Sequence, residues 1–395
     1  MNLLSQDVTE TIPDNQMAGK IYLFFATAAL IMFYYAHAPG GAEKLFYIPC
    51  AGALIASFFC HFKRDCIDVI LLLIIGFSLL SDLVNFTVPD RVDAPWLRQC
   101  IGILCFNKLR KFNMNKIVTA MAVASPFIIL SLYLFSSPFG RASYRYGGFS
   151  GDPNYLAISL NLLIVFNLLY IHRKDTTKLQ SIVPIITILG TLPLFIAGKS
   201  RAGLIAMSVL LLSYLIFLFF NNRKTCFLII AITFVCSGNI YILFQKPIDA
   251  IVERFDSLEK AHGGARVVQF SAVNDVYKAY PYTFPLGTGI DNSPLRFEEF
   301  KAKSPFMIHN TYLNILFGQG FVALCLYLTM FWLTFKQIWK YEHKGIFVGL
   351  YLSLLLNISS VASATYLTFW WTLFFLLSVP DMPEIVDEQN NIDTL

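Results

Sequence analysis

The sequence predicts an all-α polytopic membrane protein, and its composition is the first reason. Of its 395 residues, 56% are hydrophobic and 14% are charged, and the mean hydropathy is +0.60. A soluble protein would carry about a quarter charged residues. A spanning helix needs about 20 apolar residues, so the length allows about twelve spans and one polar loop. The net charge of +5 is not gathered into a basic face with interleaved aromatic residues, so nucleic-acid binding is not expected.

The second reason is the series of apolar runs along the chain, which together predict about twelve transmembrane helices. One run is short and contains Arg98, and the last two runs are separated by only a few residues. The runs are 20–37, 44–61, 67–86, 93–107, 117–136, 153–171, 180–198, 202–220, 225–244, 310–335, 345–360 and 363–379.

Lysine and arginine are unevenly distributed between alternate connections, which predicts the orientation. Fourteen lie in one set of loops and seven in the opposite set with its helix ends. Because cytoplasmic loops are enriched in Lys and Arg, the first set is predicted to be cytoplasmic, with both termini inside. The N-terminus lacks the basic region and cleavage site of a signal peptide, so the first helix is expected to remain as an anchor. The predicted units are nine helices in 1–244, an outer (periplasmic) loop in 245–308, three helices in 309–380 and a cytoplasmic tail in 381–395.

The long polar loop is predicted to contain two amphipathic helices that lie over the membrane surface as a lid or cradle. Pro281, Pro285 and the turn 287–289 should end the second helix. After His309 the chain returns to the membrane through Gly318-Gln319-Gly320. The apolar positions recur at helical spacing and are Ile248, Ile251, Phe255 and Leu258 in the first helix, and Phe270, Val273, Tyr277 and Tyr280 in the second.

Asp152 and Asn154 are the first candidate site residues. They follow a glycine-rich turn, and Pro153 between them suits the first position of a helix. Asp152 would cap that helix through its free N–H groups, and capping alone would explain its presence. The functional alternative is that both side chains line a site, where the amide of Asn154 offers a donor and an acceptor to sugar hydroxyls.

Lys199 and Arg201 form a second cluster of candidates at the start of another helix. Ser200 between them can cap this helix, and a helix start with two cations favours an anion such as a diphosphate. Snorkelling of these side chains to lipid headgroups is the alternative. Arg266 follows two glycines and also begins a predicted helix, with a solvated arginine as the alternative. Arg141 and Arg145 are added on charge, because they too fall on the outer side.

His309 and Asn310 are the last candidates and open the tenth apolar run. An imidazole titrates near neutral pH, so His309 could act as a base on a sugar hydroxyl or hold a phosphate oxygen. A purely structural histidine is the alternative. No carboxylate cluster suited to Mg²⁺ is present, and the eight cysteines show no CxxC or Cys/His pattern. Neither a metal site nor a disulfide is therefore expected.

In this order, these stretches resemble the Wzy/WaaL superfamily of bacterial surface-polysaccharide enzymes, over about residues 150–330. The superfamily includes O-antigen polymerases and O-antigen ligases. The resemblance rests on Gly151-Asp152-Pro153-Asn154, Ser200-Arg201-Ala202-Gly203, Arg266 with Pro285-Leu286-Gly287-Thr288-Gly289, and His309-Asn310-Thr311-Tyr312-Leu313 followed by Gly320.

The resemblance implies a GT-C-like, metal-independent, inverting glycosyltransferase of the bacterial inner membrane that works at its periplasmic face. Its donor would be a glycan on undecaprenyl diphosphate, and no cofactor is needed because this donor is already activated. Arg201 and Arg266 match arginines thought to hold the diphosphate, and His309 matches the histidine thought to activate the acceptor.

Three functions stay open, and a polymerase is favoured because the glycine-flanked Asp152-Pro153-Asn154-Tyr155 pattern is similar to that of repeat-unit polymerases. The acceptor would then be a lipid-linked repeat unit, and a chain-length regulator is a candidate partner. A ligase would instead use lipid A-core as acceptor. A lipid-linked oligosaccharide flippase is disfavoured, because transporters show internal repeats and polar helices near the membrane centre.

Overall fold

The chain folds as a bundle of α-helices, as seen in a computed structural model. The structure describes residues 16–34, 42–60, 65–85, 95–112, 115–135, 146–148, 152–173, 176–260, 264–290, 308, 310–339, 344–359 and 367–377. Within these ranges there is no β-strand. The helices are α1 (Gln16–Phe33), α2 (Ala42–Phe59), α3 (Cys66–Val84), α4 (Pro95–Phe106), α5 (Asn115–Phe135), α6 (Pro153–Ile171), α7 (Lys178–Gly198), α8 (Arg201–Asn221), α9 (Arg223–Leu243), α10 (Gln245–Lys260), α11 (Gly264–Ala279), α12 (Thr283–Leu286), α13 (Thr311–Trp339), α14 (Gly345–Ile358) and α15 (Leu367–Leu377).

Each of the twelve apolar runs coincides with one helix, and the all-α multi-pass prediction is confirmed. Among the described residues, seven helices are long and apolar enough to cross a membrane, namely α3, α5, α6, α7, α8, α9 and α13. Parts of α1, α2 and α14 are apolar but shorter. The count of twelve spans and the unit boundaries therefore stay predictions. The two loop helices are α10 and α11, at the positions that the apolar spacing predicts.

α6 lies in the core of the bundle and contacts helices on several sides. Every residue from Leu156 to Leu169 is buried, so the helix has no solvent-facing side, although Ser159, Asn161 and Asn167 are polar. The Tyr34 hydroxyl, just after α1, donates to the Ser159 carbonyl at 2.9 Å. On another face, the Phe166 ring lies 5.4 Å from the Trp371 ring of α15. α6 thus provides the frame against which the helices that carry the candidate residues are placed.

α14 runs antiparallel to α8 in close contact. A Cβ built on Gly345 would lie 2.7 Å from the Phe217 Cβ, and one built on Gly349 would lie 2.8 Å from the Ser213 Cβ. Positions that advance along α14 therefore meet positions that go back along α8. The end of α14 consequently lies at the same end of the bundle as the start of α8, which we call the site end.

α13 is not the single straight helix that the run 310–335 predicts, because Gly320 interrupts it with φ 88° and ψ 172°. The Tyr312 and Phe331 rings are 6.0 Å apart. In a straight helix, residues 19 positions apart are separated by about 28 Å. The segment 311–319, which we call the arm, therefore folds back beside the longer segment 321–339. The longer segment alone, with 19 residues, has the length of a span.

At the opposite end of the bundle, an ion-pair cluster joins the start of α3 to a 3₁₀ turn after α4. Arg110, whose side chain is only 4% exposed, pairs with Asp65 and, at 2.7 Å, with Asp68. Lys111 lies 2.6 Å from Asp65. Burial alone would raise the pKa of Asp65, but the hydrogen bonds and charges of Arg110 and Lys111 outweigh it and hold that pKa well below its usual range. Burial likewise lowers the pKa of Lys108 in the same turn.

Candidate functional site

The structure brings the first two candidate clusters into direct contact. Asp152 caps α6 by accepting from the Asn154 N–H at 2.7 Å, and Ser200 caps α8 by accepting from the Gly203 N–H at 3.1 Å. Both caps are as predicted from the sequence. In addition, the Ser200 hydroxyl donates to the Asn154 side-chain oxygen at 2.6 Å. One side chain therefore joins the starts of the two helices, which are 46 positions apart in sequence.

The contact between α6 and α8 is close because both helices carry small residues at their starts. A Cβ built on Gly203 would overlap the Cβ of Ala157. Glycine is therefore needed at position 203 because the neighbouring helix leaves no room for a side chain, and not because of its backbone conformation. This close approach places Arg201, the first residue of α8, beside the start of α6. Arg201 is partly exposed and lies at a helix end, not at the middle of a candidate span.

Lys199 occupies the connection between α7 and α8 in a left-handed conformation with φ 48°. It is the one non-glycine residue with positive φ among those described, and it is 8% exposed. Such a conformation is uncommon for lysine and reverses the chain sharply between the two helices. Nearby, the Tyr146 N–H donates to the Ala197 carbonyl, and the Tyr146 hydroxyl donates to the Leu132 carbonyl of α5. Tyr146 therefore connects the end of α7, just before this turn, to α5.

Asn310 begins the arm and is structurally engaged. Its side-chain oxygen accepts from the Leu313 N–H at 3.0 Å, which caps the arm. Its amide nitrogen donates to the Ser359 carbonyl, at the end of α14, at 3.1 Å. Because α14 ends where α8 begins, this bond places the start of the arm at the site end. The sequence predicts Asn310 as a substrate-binding residue, and nothing in the structure tests that role.

α11 packs on the arm and carries Arg266 in its first turn. Val273 and Val276 of α11 are buried against Ile308 and Phe317 of the loop end and the arm. The Tyr277 hydroxyl donates to the Leu316 carbonyl at 3.1 Å, and burial raises the pKa of this phenol well above its usual range. Because Arg266 lies on the same helix as Val273 and Val276, its backbone belongs to the helix that packs on the arm. The side chain of Arg266 lies outside the described part of the structure.

Three candidates, Arg141, Arg145 and His309, lie outside the described residues. His309 is flanked by two described neighbours, since Ile308 is fully buried and Asn310 caps the arm. The structure therefore relates Asp152, Asn154, Lys199, Arg201 and Asn310 to one end of the bundle. That these residues share the outer face of the membrane, and that they form a site, stay predictions.

A buried polar network between α3, α4 and the arm is the feature that sequence reasoning missed. The Ser81 hydroxyl donates to the Gly318 carbonyl at 2.6 Å and accepts from the Gly289 N–H at 3.0 Å. Gln99 and Gln319 are joined by an amide hydrogen bond of 3.0 Å. A serine in an apolar helix is common, so the only available signal was the recurrence of polar residues at helical spacing. These are Ser78, Ser81, Asp82 and Asn85 near the end of α3.

Chemically, the site end combines helix starts with cationic side chains. The start of α8 carries the positive end of the helix dipole, and Lys199 and Arg201 add formal charge there. Such a combination suits a phosphate or diphosphate group. The Asn154 amide and the Ser200 hydroxyl beside it are neutral groups that suit hydroxyl ligands. Within the described residues, no three His, Cys, Asp or Glu side chains lie close enough together to hold a metal ion.

Comparison with known families finds a match that runs from α7 to α13. Residues 185–328 match the model of the family Wzy_C, described as O-Antigen ligase. This range contains Arg201, Arg266 and His309, whereas Asp152 and Asn154 precede it. Among curated proteins, none matches the chain. This match, which covers residues 185–328 of the 395, supports membership of the Wzy/WaaL superfamily.

Proposed function

We propose that this protein is an integral membrane glycosyltransferase that polymerises repeat units of a surface polysaccharide carried on undecaprenyl diphosphate. The family match supports a Wzy/WaaL-type enzyme. The observation that carries the assignment of the site is the hydrogen bond between Ser200 and Asn154, because it joins the two polar clusters beside Arg201. The reaction takes place at the periplasmic face of the inner membrane.

In the proposed reaction, a hydroxyl of the acceptor attacks the anomeric carbon of the donor glycan. The bond from that carbon to the diphosphate oxygen breaks with inversion, and the diphosphate leaves as an anion. Arg201 and Arg266 meet the growing negative charge, which lowers the barrier. The proton of the attacking hydroxyl passes to His309. No further activation is required, since the diphosphate is already a good leaving group.

A ligase is the second candidate, and the description of the matched family as O-Antigen ligase favours it. The donor chemistry would be unchanged, and the acceptor would be lipid A-core instead of a lipid-linked repeat unit. Transport is less well supported, because Arg201 lies at the start of a candidate span and not near its centre.

Deletion of the gene in its native host, followed by gel analysis of the surface polysaccharide, separates the two enzymes. A core band that carries a single repeat unit is expected for a lost polymerase. Bare core, with long polymer left on undecaprenyl diphosphate, would instead assign the ligase. An unchanged ladder in a host without a second such enzyme would contradict both.

Complementation with single variants then tests the site. Arg201→Ala and Arg266→Ala are each expected to abolish transfer at normal protein levels. Arg223→Ala is the matched control for Arg201→Ala, because Arg223 also begins a helix but at the opposite end of α8. His309→Ala should lose turnover more than donor binding. Normal activity in both arginine variants would remove the proposed diphosphate site.

A further inference from the structure

The arm is held at its far end and not only at its start. The arm runs from Thr311 to Gln319, and the chain reverses at Gly320. At this reversal, the arm meets the turn that follows α12, since the Thr288 N–H donates to the Phe317 carbonyl at 2.8 Å. The loop between these two points contains His309. The anchoring of the reversal therefore bears on the start of the arm, which follows His309 in sequence.

Ser81 of α3 is hydrogen-bonded both to the arm and to the turn that follows α12. Its hydroxyl donates to the Gly318 carbonyl of the arm and accepts from the Gly289 N–H of the turn. Ser81 is completely buried. The two backbone groups would lose this shared partner without the hydroxyl, and an unpaired buried polar group is costly. One hydroxyl group thus couples α3 to the arm and to the turn at the same time.

Gln99 of α4 provides a second, independent anchor. Its side-chain oxygen accepts from the Gln319 amide nitrogen at 3.0 Å, and its own amide nitrogen donates to the Ser78 hydroxyl at 2.9 Å. The Ser78 hydroxyl lies 2.8 Å from both the Gln319 side-chain oxygen and the Ile74 carbonyl, so these two acceptors share its one proton. Gln99 and Ser78 are completely buried, and Gln319 is 1% exposed. These three side chains thus lie within hydrogen-bond distance of one another and connect the arm's last residue to both α3 and α4.

At the reversal, two backbone segments are in direct contact and leave no room for either to move separately. A Cβ on Gly287 would overlap the Gly318 carbonyl, and a Cβ on Gly320 would overlap the Pro285 carbonyl. Both glycines have positive φ. Backbone therefore lies directly against backbone, and a shift of α3 or α4 would be transmitted to the arm as a whole.

We propose that Ser81 and Gln99 are positioning residues for glycosyl transfer. They hold the Gly318–Gly320 reversal, and the short arm connects this reversal to Asn310, the residue that follows His309 in sequence. This inference rests on the proposed function. Because both residues are completely buried, we expect them to act on the alignment of the acceptor base and not on donor binding. A misplacement of about 1 Å at a reacting group can lower the rate about 100-fold.

The test compares Ser81→Thr with Ser81→Val in the full-length protein, purified in lipid nanodiscs. The two side chains have nearly the same shape and differ in the hydroxyl, so any effect of the added methyl group cancels. Gln99→Met provides the second variant, because it keeps the length of the side chain and removes the amide. Ser125→Ala is the control, since Ser125 is equally buried but bonds only its own helix. Turnover is measured with a synthetic undecaprenyl-diphosphate repeat unit, and hydrogen exchange is followed in peptides from the arm.

The expected result is a kcat for Ser81→Val that is about 10- to 100-fold below that of Ser81→Thr, with KM for the donor within about threefold. Exchange in the arm should rise in Ser81→Val and Gln99→Met, and not in Ser125→Ala. Equal kcat values in Thr and Val would overturn the inference. So would a parallel loss of kcat, donor affinity and melting temperature, which would indicate a merely structural role. A wild-type protein that transfers no glycan to a lipid-linked repeat unit or to lipid A-core would contradict the proposed function. The exchange data would still show whether Ser81 and Gln99 hold the arm.

Discussion

Two junctions hold the described residues of the proposed site, and they are built differently. The junction of α6 with α8 depends on helix caps and on contact between small residues at Gly203 and Ala157. The junction of α3 and α4 with the arm depends on buried side chains that bond residues more than 200 positions away, as Ser81 bonds Gly318. The first junction supports Arg201, and the second supports the arm that follows His309.

The two junctions therefore suit two different requirements of the proposed site, namely charge and alignment. In the proposed reaction, the α6–α8 junction presents cations at a helix start, where the requirement is charge and the geometry can vary slightly. The proposed base immediately precedes the arm in sequence and would act on one hydroxyl, where small displacements matter more. A reversal flanked by glycines, with the buried hydrogen bonds of Gln319, suits the second requirement. The following predictions test whether the two junctions respond differently.

The largest effect is expected for Gly320→Ala at the arm. The new Cβ would overlap the Pro285 carbonyl, and alanine at φ 88° is strained. Strain and overlap together should cost on the order of 3 to 5 kcal/mol. We expect little folded protein, measured as the monodisperse fraction in size-exclusion chromatography. Gly76→Ala in α3 is the control, since nothing lies within 4 Å of its Cβ, and normal folding of both variants would contradict the tight reversal.

A smaller effect is expected for Gly203→Ala at the α6–α8 junction. The added methyl overlaps the Ala157 Cβ, but Gly203 has ordinary helical backbone, so overpacking of about 1 to 3 kcal/mol is the whole cost. The double variant with Ala157→Gly moves the methyl across the interface and should recover most of the lost melting temperature. Additive effects of the two substitutions would show that the helices do not meet at these residues.

The first junction was largely predictable from the sequence and the second was not. Asp152 before Pro153 is a local capping pattern, and Ser200 at the start of an apolar run is another, so both caps could be read within a few residues. The amphipathic spacing of 270–280 likewise predicted α11 and its apolar face. The hydrogen bond between Ser200 and Asn154, however, required the packing of α6 against α8.

The anchors of the arm have no local signature. Ser81 and Gln99 look like isolated polar residues in apolar runs, and their partners are 237 and 220 positions away. Gly318-Gln319-Gly320 lies inside an apolar run that has enough residues for one helix. The composition of the run therefore does not predict a reversal there. Long-range pairing of this kind is set by tertiary packing, which helical periodicity alone does not specify.

An intermediate loss of stability without loss of specific turnover is expected for Asp65→Ala at the opposite end. It leaves the buried Arg110 with one carboxylate partner fewer, at a cost of about 2 kcal/mol because Asp65 is one-third exposed. The measurements are the melting temperature and the activity per folded molecule. Reduced activity per folded molecule would show that this end is coupled to the site.

The pH dependence of that ion pair has a definite sign. The pKa of Asp65 is lower in the folded protein than in the unfolded chain, so its contribution to stability is present above about pH 4 and is lost as pH falls further. Between pH 5 and 8, the difference in melting temperature between wild type and Asp65→Ala should stay constant. A difference that shrinks on moving from pH 8 to pH 5 would contradict the depressed pKa.

Ser200→Ala is expected to have the smallest effect on stability. It should also separate stability from activity most clearly. Loss of a helix cap costs about 1 kcal/mol, and Thr177→Ala should cost the same because Thr177 caps α7 with a comparable bond. The two variants differ in position, since Ser200 also bonds Asn154 beside Arg201, whereas Thr177 lies at the other end of α7. Ser200→Ala should therefore raise KM for the donor in nanodisc assays, and Thr177→Ala should leave it unchanged. Equal KM values at equal loss of melting temperature would mean that the α6–α8 junction supports the fold and not the donor.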